Sequence, residues 1–350
     1  MSKSMGNFIL LNESIKGHRL ITINEVTKPV GWTADATRVA LADGGDGLED
    51  ANFSMDVADT AIMRLFNEIG FAEEIMSLSE PATQSSAHQL HARIFEARLD
   101  NAITEADSAY SSMRFRDALV ASFFGLQESR DAYRKACSLL KEEPTAKLLR
   151  RYVELLAVLL SPICPHFCDH VWRNILVKPG SVMNASWPAP TGADATMLRV
   201  GEYLSVVESR VRSTVDKQMV KKKQAVKKVS LHVAADVPPL HKRVIELLRS
   251  LPRGPDLLTR VSAQLKDVVT VKSDMKEAMR VAATVHAAFE TEGEKAFETT
   301  LPFDEIQVLR VCAPMLAQSL GLEVLEVSGE KPPGSAAADA VPGKPLIVMA

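Results

Sequence analysis

The sequence predicts a mainly α-helical protein, in which a helical bundle is followed by a small α/β domain. Three observations support this class. Apolar residues recur at helical spacing in consecutive segments between about 55 and 175. Short breaks separate these segments, as in a bundle whose neighbouring helices are antiparallel. After Trp187 the pattern changes to short β-branched stretches that alternate with helical ones, which is typical of a small α/β domain.

Five helices are predicted in the bundle. The first should begin near Met55 and end at Gly70, because glycine commonly follows the last residue of a helix. The other four are centred on residues 90–103, 115–140, 148–159 and 171–175. Residues 1–53, before the first helix, are rich in glycine and are predicted to be loop-rich.

The second region should open with a helix over 198–215 that leads into a lysine-rich stretch. Val229, Leu231 and Val233 alternate with polar residues, as in a strand. The remaining predicted elements are a helix over 238–248, a strand at 268–271, helices over 274–290 and 304–320, and a strand over 322–327. Residues 328–344 are rich in glycine, proline and alanine, which predicts a flexible link.

Composition and charge limit the classes of function. The 350 residues carry a net charge of −3, so any contact with a polyanion must come from a local patch. Four cysteines in a chain of this length, without a secretory leader, do not indicate a disulfide framework. No apolar run approaches the roughly 20 residues that span a bilayer. We therefore expect a soluble cytoplasmic protein that makes no membrane contact.

Several separated motifs occur in one order along the chain. They are Met1-Ser2-Lys3-Ser4, Ala34–Ala42, Glu49–Phe53, Pro162–His166, Trp172, Ser186–Pro188 and Pro342–Leu346. Together they resemble the part of a class I aminoacyl-tRNA synthetase that begins within its KMSKS signature, specifically in leucyl enzymes of the eukaryotic and archaeal type. The resemblance covers nearly the whole chain. It implies an anticodon-binding helical bundle, a small α/β C-terminal domain and, in front of both, a remnant of the catalytic domain's KMSKS loop.

The resemblance also implies a reaction, ATP-dependent leucine–tRNA ligation. Leucine would attack the α-phosphate of ATP, pyrophosphate would leave, and the adenylate would pass leucine to tRNA(Leu). Lys3 would be the catalytic and ATP-binding cation that stabilises charge on the leaving phosphates, with Ser2 and Ser4 as hydrogen-bond donors. Mg²⁺ would enter only as the counter-ion of ATP, and no metal bound by the protein is predicted. Other synthetases are possible partners in a complex.

Two departures from the family pattern affect this reaction. The family's first signature lysine would precede Met1, and no His-x-Gly-His motif occurs in the sequence. Because positioning of reactants is worth roughly 7–11 kcal/mol of the barrier, we expect this C-terminal fragment to be inactive alone.

Residues 18–31 are an insertion relative to the family pattern, which either an unremoved intron or a lineage-specific loop would explain.

Four regions are therefore expected. Residues 1–53 hold the KMSKS-loop remnant and its connection, and 54–190 hold the anticodon-binding bundle. A basic linker helix and the small α/β domain occupy 191–327, and 328–350 form the link and a C-terminal segment.

One stretch concentrates positive charge, with no acidic residue between Asp216 and Asp236. Its cations are Lys217, Lys221, Lys222, Lys223, Lys227 and Lys228, and two further candidate cations, Arg210 and Arg212, lie just upstream. Such a stretch can be merely a solvated face, but its place behind an anticodon-binding bundle favours contact with tRNA phosphates. The weaker candidates on the bundle are Arg114, Arg116, Arg150 and Arg151, because surface arginines are common.

Two metal-like patterns fail on geometry. Cys164, His166, Cys168 and His170 alternate, but on a helix the two cysteines and the two histidines face opposite ways and cannot share one tetrahedral ion. Core packing and capping are the better interpretation. The acidic residues from Asp43 onward lack oxygen ligands at the spacing of a calcium loop.

Two alternatives remain open. The chain could be a non-catalytic module that binds RNA or other proteins, including synthetases or scaffolds. It could also derive from a sister class I enzyme for valine, isoleucine or methionine, although the Glu49–Phe53 and Pro342–Leu346 segments disfavour this.

Overall fold

The computed structural model describes residues 10–12, 19–21, 33–45, 54–81, 83–222, 226–234, 236–252, 257–266, 272–329 and 341–349. The chain divides into two compact units, Met1–Leu198 and Arg199–Ala350. The described residues are mainly helical, with a three-stranded sheet in the second unit, and this confirms the predicted fold class. Among them, no helix is both long and apolar enough to cross a membrane.

The first unit begins with an antiparallel pair of short strands, β1 (Leu10–Asn12) and β2 (Arg19–Ile21). Its helices are α1 (Ala34–Asp43), α2 (Met55–Met76), α3 (Ser86–Ser111), α4 (Phe115–Leu119), α5 (Gly125–Leu140), α6 (Ala146–Leu160) and α7 (Pro165–His170). A π-helical turn at Val120–Phe124 joins α4 to α5, and another at Val171–Ile175 extends α7.

Capping and burial explain where these helices lie. The side chains of Thr33, Ser54 and Ser85 accept hydrogen bonds from backbone N–H groups in the first turns of α1, α2 and α3. Helix α6 is the centre of the bundle, because Tyr152 and Leu156 are buried with most of their helical neighbours. An apolar helix surrounded by others gains stability from packing rather than from its own propensity.

Two predictions about the first unit are wrong. Helix α2 does not end at Gly70 but continues to Met76, because Phe71 and Ile75 are buried in the core. Burying two such side chains stabilises by about 1.5–3 kcal/mol each, which exceeds the roughly 1 kcal/mol cost of glycine inside a helix. The segment predicted to be loop-rich contains α1, which forms because Ala36 and Val39 pack into the bundle core.

The second unit contains most of α8 (Thr196–Lys222). The elements that follow are β3 (Lys228–His232), α9 (Pro239–Ser250), α10 (Leu257–Lys266), α11 (Lys272–Glu292), α12 (Glu305–Ser319), β4 (Val324–Ser328) and β5 (Leu346–Met349). In the sheet, β3 lies in the middle, parallel to β4 and antiparallel to β5. Val229 and Leu231 of β3 are buried, and a separate apolar core joins α9, α10 and α11.

Most predicted elements of the second region are confirmed, namely α8, α9, α11, α12, β3 and β4. Helix α10 and strand β5 are not predicted by the sequence pattern. The predicted strand at 268–271 lies outside the described residues, as do most of the 18–31 insertion and residues 330–340 of the predicted link.

A buried polar network joins three helices of the first unit. Glu68 of α2 accepts hydrogen bonds from Gln127 Nε2 at 2.8 Å and from Tyr152 Oη at 2.9 Å. The Arg130 guanidinium of α5 forms an ion pair with Glu68 and stacks 4.5 Å from the ring centre of Phe71. Glu68 is only 2% exposed, so its charge is tolerated because it is paired and hydrogen-bonded. The network fixes how α2, α5 and α6 meet.

Removing one partner of this network should be costly. Glu68→Leu leaves the Arg130 guanidinium with only the exposed Asp131 as an ionic partner, so the free energy of unfolding should fall by about 3 kcal/mol. The double variant Glu68→Leu/Arg130→Met removes both charges and should recover a large part of that loss. Urea unfolding followed by circular dichroism measures both. Glu73→Leu, at an exposed position of the same helix, is the control. Equal losses in the single and double variants would contradict this account.

Candidate nucleic-acid interface

The basic segment, defined as residues 217–228, connects the end of α8 to the start of β3. Val211 and Val215 bury one face of α8 just before it. Strand β3 is held on both sides by β4 and β5. Both ends of the basic segment are therefore anchored in regular structure.

Two of the predicted lysines are exposed and make no hydrogen bond within the described residues, namely Lys217 and Lys228. The charge of Lys228 also acts on Glu323 and helps to lower the pKa of that carboxyl group. Two further cations are exposed but paired. Arg212 Nη2 lies 2.9 Å from Glu208 Oε1, and Lys227 Nζ lies 2.6 Å from Glu323 Oε1. The hydrogen bond that Lys227 donates to the Glu323 carboxylate raises the pKa of Lys227, which therefore stays charged at neutral pH.

The other predicted residues differ in position. Arg210 is half-buried, and its Nη1 has no hydrogen-bond partner among the described residues, so the structure does not group it with the exposed cations. Lys221 and Lys222 occupy the last two positions of α8. The remaining predicted site residues, Lys223, Ser2, Lys3 and Ser4, lie outside the described residues.

Two of the sequence motifs meet in the first unit. Asp35, within the Ala34–Ala42 motif, accepts a hydrogen bond at 2.7 Å from the backbone N–H of Phe167, beside the Pro162–His166 motif. Phe167 lies in the first turn of α7, where Cys164 at the N-cap makes no side-chain cap. Asp35 therefore caps α7 from a distant helix, and its negative charge suits the positive end of the α7 dipole.

The four residues of the zinc-like pattern separate as helical geometry requires. Cys164 and Cys168 are buried in the core, and burial raises the pKa of both thiols, so they stay protonated. His166 and His170 are exposed, and His166 Nδ1 lies 3.0 Å from Asp35 Oδ1. Within the described ranges, no three His, Cys, Asp or Glu side chains are arranged to hold a metal ion.

The weaker arginine candidates on the bundle all have intramolecular partners. Arg150 donates a hydrogen bond to the backbone oxygen of Leu78, and Arg151 forms an ion pair with Asp100. Arg114 lies 2.5 Å from Asp117 Oδ2. Arg116 also interacts within the chain. Arg150 and Arg151 thus bind parts of the bundle itself.

Comparison with known proteins identifies the relatives of this chain. Residues 92–231 match the family described as the anticodon-binding domain of tRNA ligase. The cytoplasmic leucine–tRNA ligase of Pongo abelii is 32% identical to this chain. The match covers 100% of this chain and 29% of that protein. The chain is therefore similar over its whole length to part of a leucine–tRNA ligase. In Saccharomyces cerevisiae the cytoplasmic enzyme is 31% identical, with 89% of this chain and 28% of that protein covered. The leucine–tRNA ligase of Aeropyrum pernix is 28% identical, and the match covers 99% of this chain and 33% of that protein.

These matches confirm the resemblance read from the motifs. The chain spans about 30% of the length of the leucine–tRNA ligases that it matches. The anticodon-binding domain match starts within α3 and ends within β3, so it includes the later helices of the bundle and the basic segment but not α1 or α2.

Sequence reasoning missed the anchoring roles of Asp35 and Asp100. Asp100, on α3, accepts hydrogen bonds from the backbone N–H groups of Thr191 at 3.0 Å and Ala193 at 2.9 Å. Arg151 of α6 forms an ion pair with the same carboxylate. Burial alone would raise the pKa of Asp100, but these partners hold it below its usual value. An acid beside the buried Leu99 was the available signal, because buried carboxylates are usually paired.

Asp100→Asn should lower the free energy of unfolding by about 2–3 kcal/mol at neutral pH, because Arg151 loses its ion pair and the amide cannot accept on both sides. The pKa of Asp100 is lower in the folded chain than in the unfolded chain, where it is about 3.9. The stability that the Asp100 carboxylate adds is therefore fully present above the unfolded pKa, and it is lost as the pH falls through the folded pKa.

Urea unfolding near neutral pH and near pH 3 tests this. The difference between wild type and Asp100→Asn should shrink at the lower pH. Asp107→Asn, at an exposed position of the same helix, should change stability little at either pH. A difference that is equally large at both pH values would show that the carboxylate charge is not what stabilises the loop.

Proposed function

We propose that this chain provides the tRNA-binding part of a leucine–tRNA ligase, and that the basic segment is its principal contact with tRNA phosphates. The observation that carries the proposal is the pair of exposed lysines at the two anchored ends of the segment, Lys217 and Lys228, which make no hydrogen bond to any described residue. The segment also lies within the stretch that matches an anticodon-binding domain.

The electrostatics support a local contact. The chain as a whole is slightly acidic, so a polyanion would be attracted only where cations are concentrated and acids are absent. Lysine is a compact point charge and reads no base, so these contacts would position tRNA without specifying its sequence. Lys227 and Arg212, which are already paired, would contribute less than Lys217 and Lys228.

The wider reaction is also a proposal, because the chain covers under a third of two of the relatives named above. Within a whole ligase, leucine, ATP and tRNA(Leu) would be the substrates, and AMP and pyrophosphate would be released. Lys3, with Ser2 and Ser4, is proposed to contact the phosphates of ATP, whose counter-ion would be Mg²⁺. These 350 residues contain no His-x-Gly-His motif, so we propose that they do not activate leucine by themselves.

The proposed cellular location and the proposed amino acid substrate follow from the same relatives. Two of those named above are cytoplasmic enzymes, which supports a cytoplasmic location for this chain. All three named relatives are leucine ligases, which favours leucine over valine, isoleucine or methionine. A role in binding other synthetases would be an additional function of the bundle.

Charge reversal of the basic segment should weaken tRNA binding. With roughly four phosphate contacts, affinity should fall about 10²-fold between 50 and 200 mM salt. Lys217→Glu/Lys228→Glu together should lower affinity at low salt by at least about tenfold and make the salt dependence shallower. Fluorescence anisotropy with labelled tRNA(Leu) measures both quantities. Lys221→Glu, Lys222→Glu and Lys223→Glu, added to this pair, should lower affinity further.

The control is Lys276→Glu/Arg310→Glu, which makes the same change in net charge at exposed positions of α11 and α12. It should retain most of the affinity. If the control weakens binding as much as the lysine variants do, the attraction is a general effect of net charge. If no variant changes binding, or if wild type does not bind tRNA at low salt, the chain is better explained as a protein-interaction module.

A further inference from the structure

Helix α7 presents two exposed histidines on one face. His166 and His170 are four positions apart in this helix, and both side chains are exposed. Residues at this spacing are neighbours on a helix surface, with Cβ atoms roughly 5–6 Å apart. Each of the other histidines that the structure describes is buried or half-buried. Within the described part of the chain, this pair is therefore where two imidazoles face solvent together.

A buried carboxylate orients the first of these imidazoles. His166 Nδ1 lies 3.0 Å from Oδ1 of Asp35, which is only 4% exposed. Because a carboxylate oxygen accepts, Nδ1 carries the proton and the lone pair of Nε2 stays available. Asp35 Oδ2 accepts the backbone N–H of Phe167, so the carboxylate itself is fixed. A carboxylate on the far nitrogen is the arrangement that orients metal-binding histidines in proteins.

The second imidazole has an amide as its partner. Nδ2 of Asn174 lies 2.8 Å from Nδ1 of His170. A half-turn of this exposed amide exchanges its nitrogen for its oxygen, so Asn174 can either donate to Nδ1 or accept the proton of Nδ1. In the second arrangement the lone pair of His170 Nε2 is available, as it is in His166. Both rings can then bind a ligand through Nε2.

Two imidazole nitrogens select a class of cation. Imidazole suits Zn²⁺, Ni²⁺ and Cu²⁺, whereas Mg²⁺ and Ca²⁺ prefer oxygen ligands. Two histidines four positions apart on a helix are also the pair that supplies two zinc ligands in metalloproteases. Cys164 and Cys168 are buried in the core, so the thiols cannot join the histidines. The protein would supply two ligands, and water would take the remaining positions.

The charges around the pair nearly balance. Arg38 Nη1 lies 3.5 Å from the same oxygen of Asp35 that His166 contacts. Asp169, which lies between the two histidines in the sequence, forms an ion pair at 2.9 Å with Arg173. Neither acid therefore gives the surface a strong negative field. Affinity for a cation would come from the two nitrogen bonds, so the loss of either histidine should remove most of it.

We propose that His166 and His170 together bind one divalent transition-metal ion, represented by Zn²⁺, through their Nε2 atoms, with Asp35 as a positioning residue. The inference does not rest on the proposed tRNA binding, because the histidine pair and the basic segment share no residue. It also gives a role to the histidine of the Pro162–His166 motif, since the cap on α7 is made through the backbone N–H of Phe167.

Isothermal titration calorimetry of the untagged full chain with ZnCl₂ tests the proposal. The chain should bind Zn²⁺ at a site from which an about hundredfold excess of Mg²⁺ does not displace it. His166→Ala and His170→Ala should each weaken this binding at least about tenfold, because a single imidazole remains.

Nitrogen NMR of the imidazoles tests the positioning role of Asp35. His166 should be protonated at Nδ1 in the wild-type chain, and Zn²⁺ should shift the Nε2 signals of both His166 and His170. Asp35→Asn should weaken Zn²⁺ binding by about 10-fold or more and should reduce the preference of His166 for this tautomer. A purely structural effect of the substitution would leave the tautomer unchanged.

Two controls separate chelation from binding at any histidine. His286→Ala, at a half-buried position of α11, should leave Zn²⁺ binding unchanged. His170→Ala/Asn174→His keeps two histidines at exposed positions but sets them eight residues apart, roughly 12 Å along the helix, which is too far for one ion. It should bind no better than His170→Ala. Circular dichroism confirms that each variant is folded.

Four results would overturn the proposal. The wild-type chain binds no Zn²⁺, or Mg²⁺ displaces the bound Zn²⁺. Neither single histidine variant weakens binding, or the pair set eight residues apart binds as tightly as wild type.

Discussion

Carboxylates inside the first unit are tolerated only where other groups satisfy their charge, and this constraint determines how its helices join. Glu68 is paired at the meeting point of α2, α5 and α6. Asp35 caps α7 from α1, and Asp100 holds the loop at Thr191 against α3 and α6. A buried carboxylate without such partners would cost several kcal/mol, so each pairing selects one arrangement of the helices. The apolar core alone would permit neighbouring arrangements.

This internal pairing has a consequence for RNA binding. Arg130, Arg150 and Arg151 are bonded within the bundle, so these cations serve its stability. Lys217 and Lys228 instead are exposed, make no hydrogen bond within the described part of the chain, and lie at the ends of a segment anchored in α8 and β3. Fixing cations before binding reduces the entropy lost when a phosphate is contacted. The proposed interface therefore depends on the second unit's sheet and long helix to present its charge.

Local features could be predicted from the sequence, whereas contacts between distant residues could not. Helical spacing identified α3, α5 and α6, and the concentration of lysine identified the basic segment. The prediction that α2 ends at Gly70 is wrong, because burial of the residues after Gly70 outweighs the tendency of glycine to end a helix. Helix α10 is only 10 residues long, and β5 gains its place by pairing with β3, more than a hundred positions earlier.

The same limit applies to the candidate sites. The lysines are visible in the sequence, but the ion pair of Lys227 with Glu323 requires strands β3 and β4 to be neighbours. The hydrogen bond from Phe167 to Asp35 joins residues 132 positions apart, and the one from Thr191 to Asp100 joins residues 91 positions apart.

Amide hydrogen exchange with and without tRNA(Leu) at low salt tests the central claim most directly, because it maps contact along the chain rather than affinity. Slower exchange should be concentrated at the C-terminal end of α8 and the start of β3 on addition of tRNA. Helices α10 and α11 should be unchanged. Binding of tRNA that leaves residues 217–232 unprotected, with protection confined to other surfaces, would contradict the account.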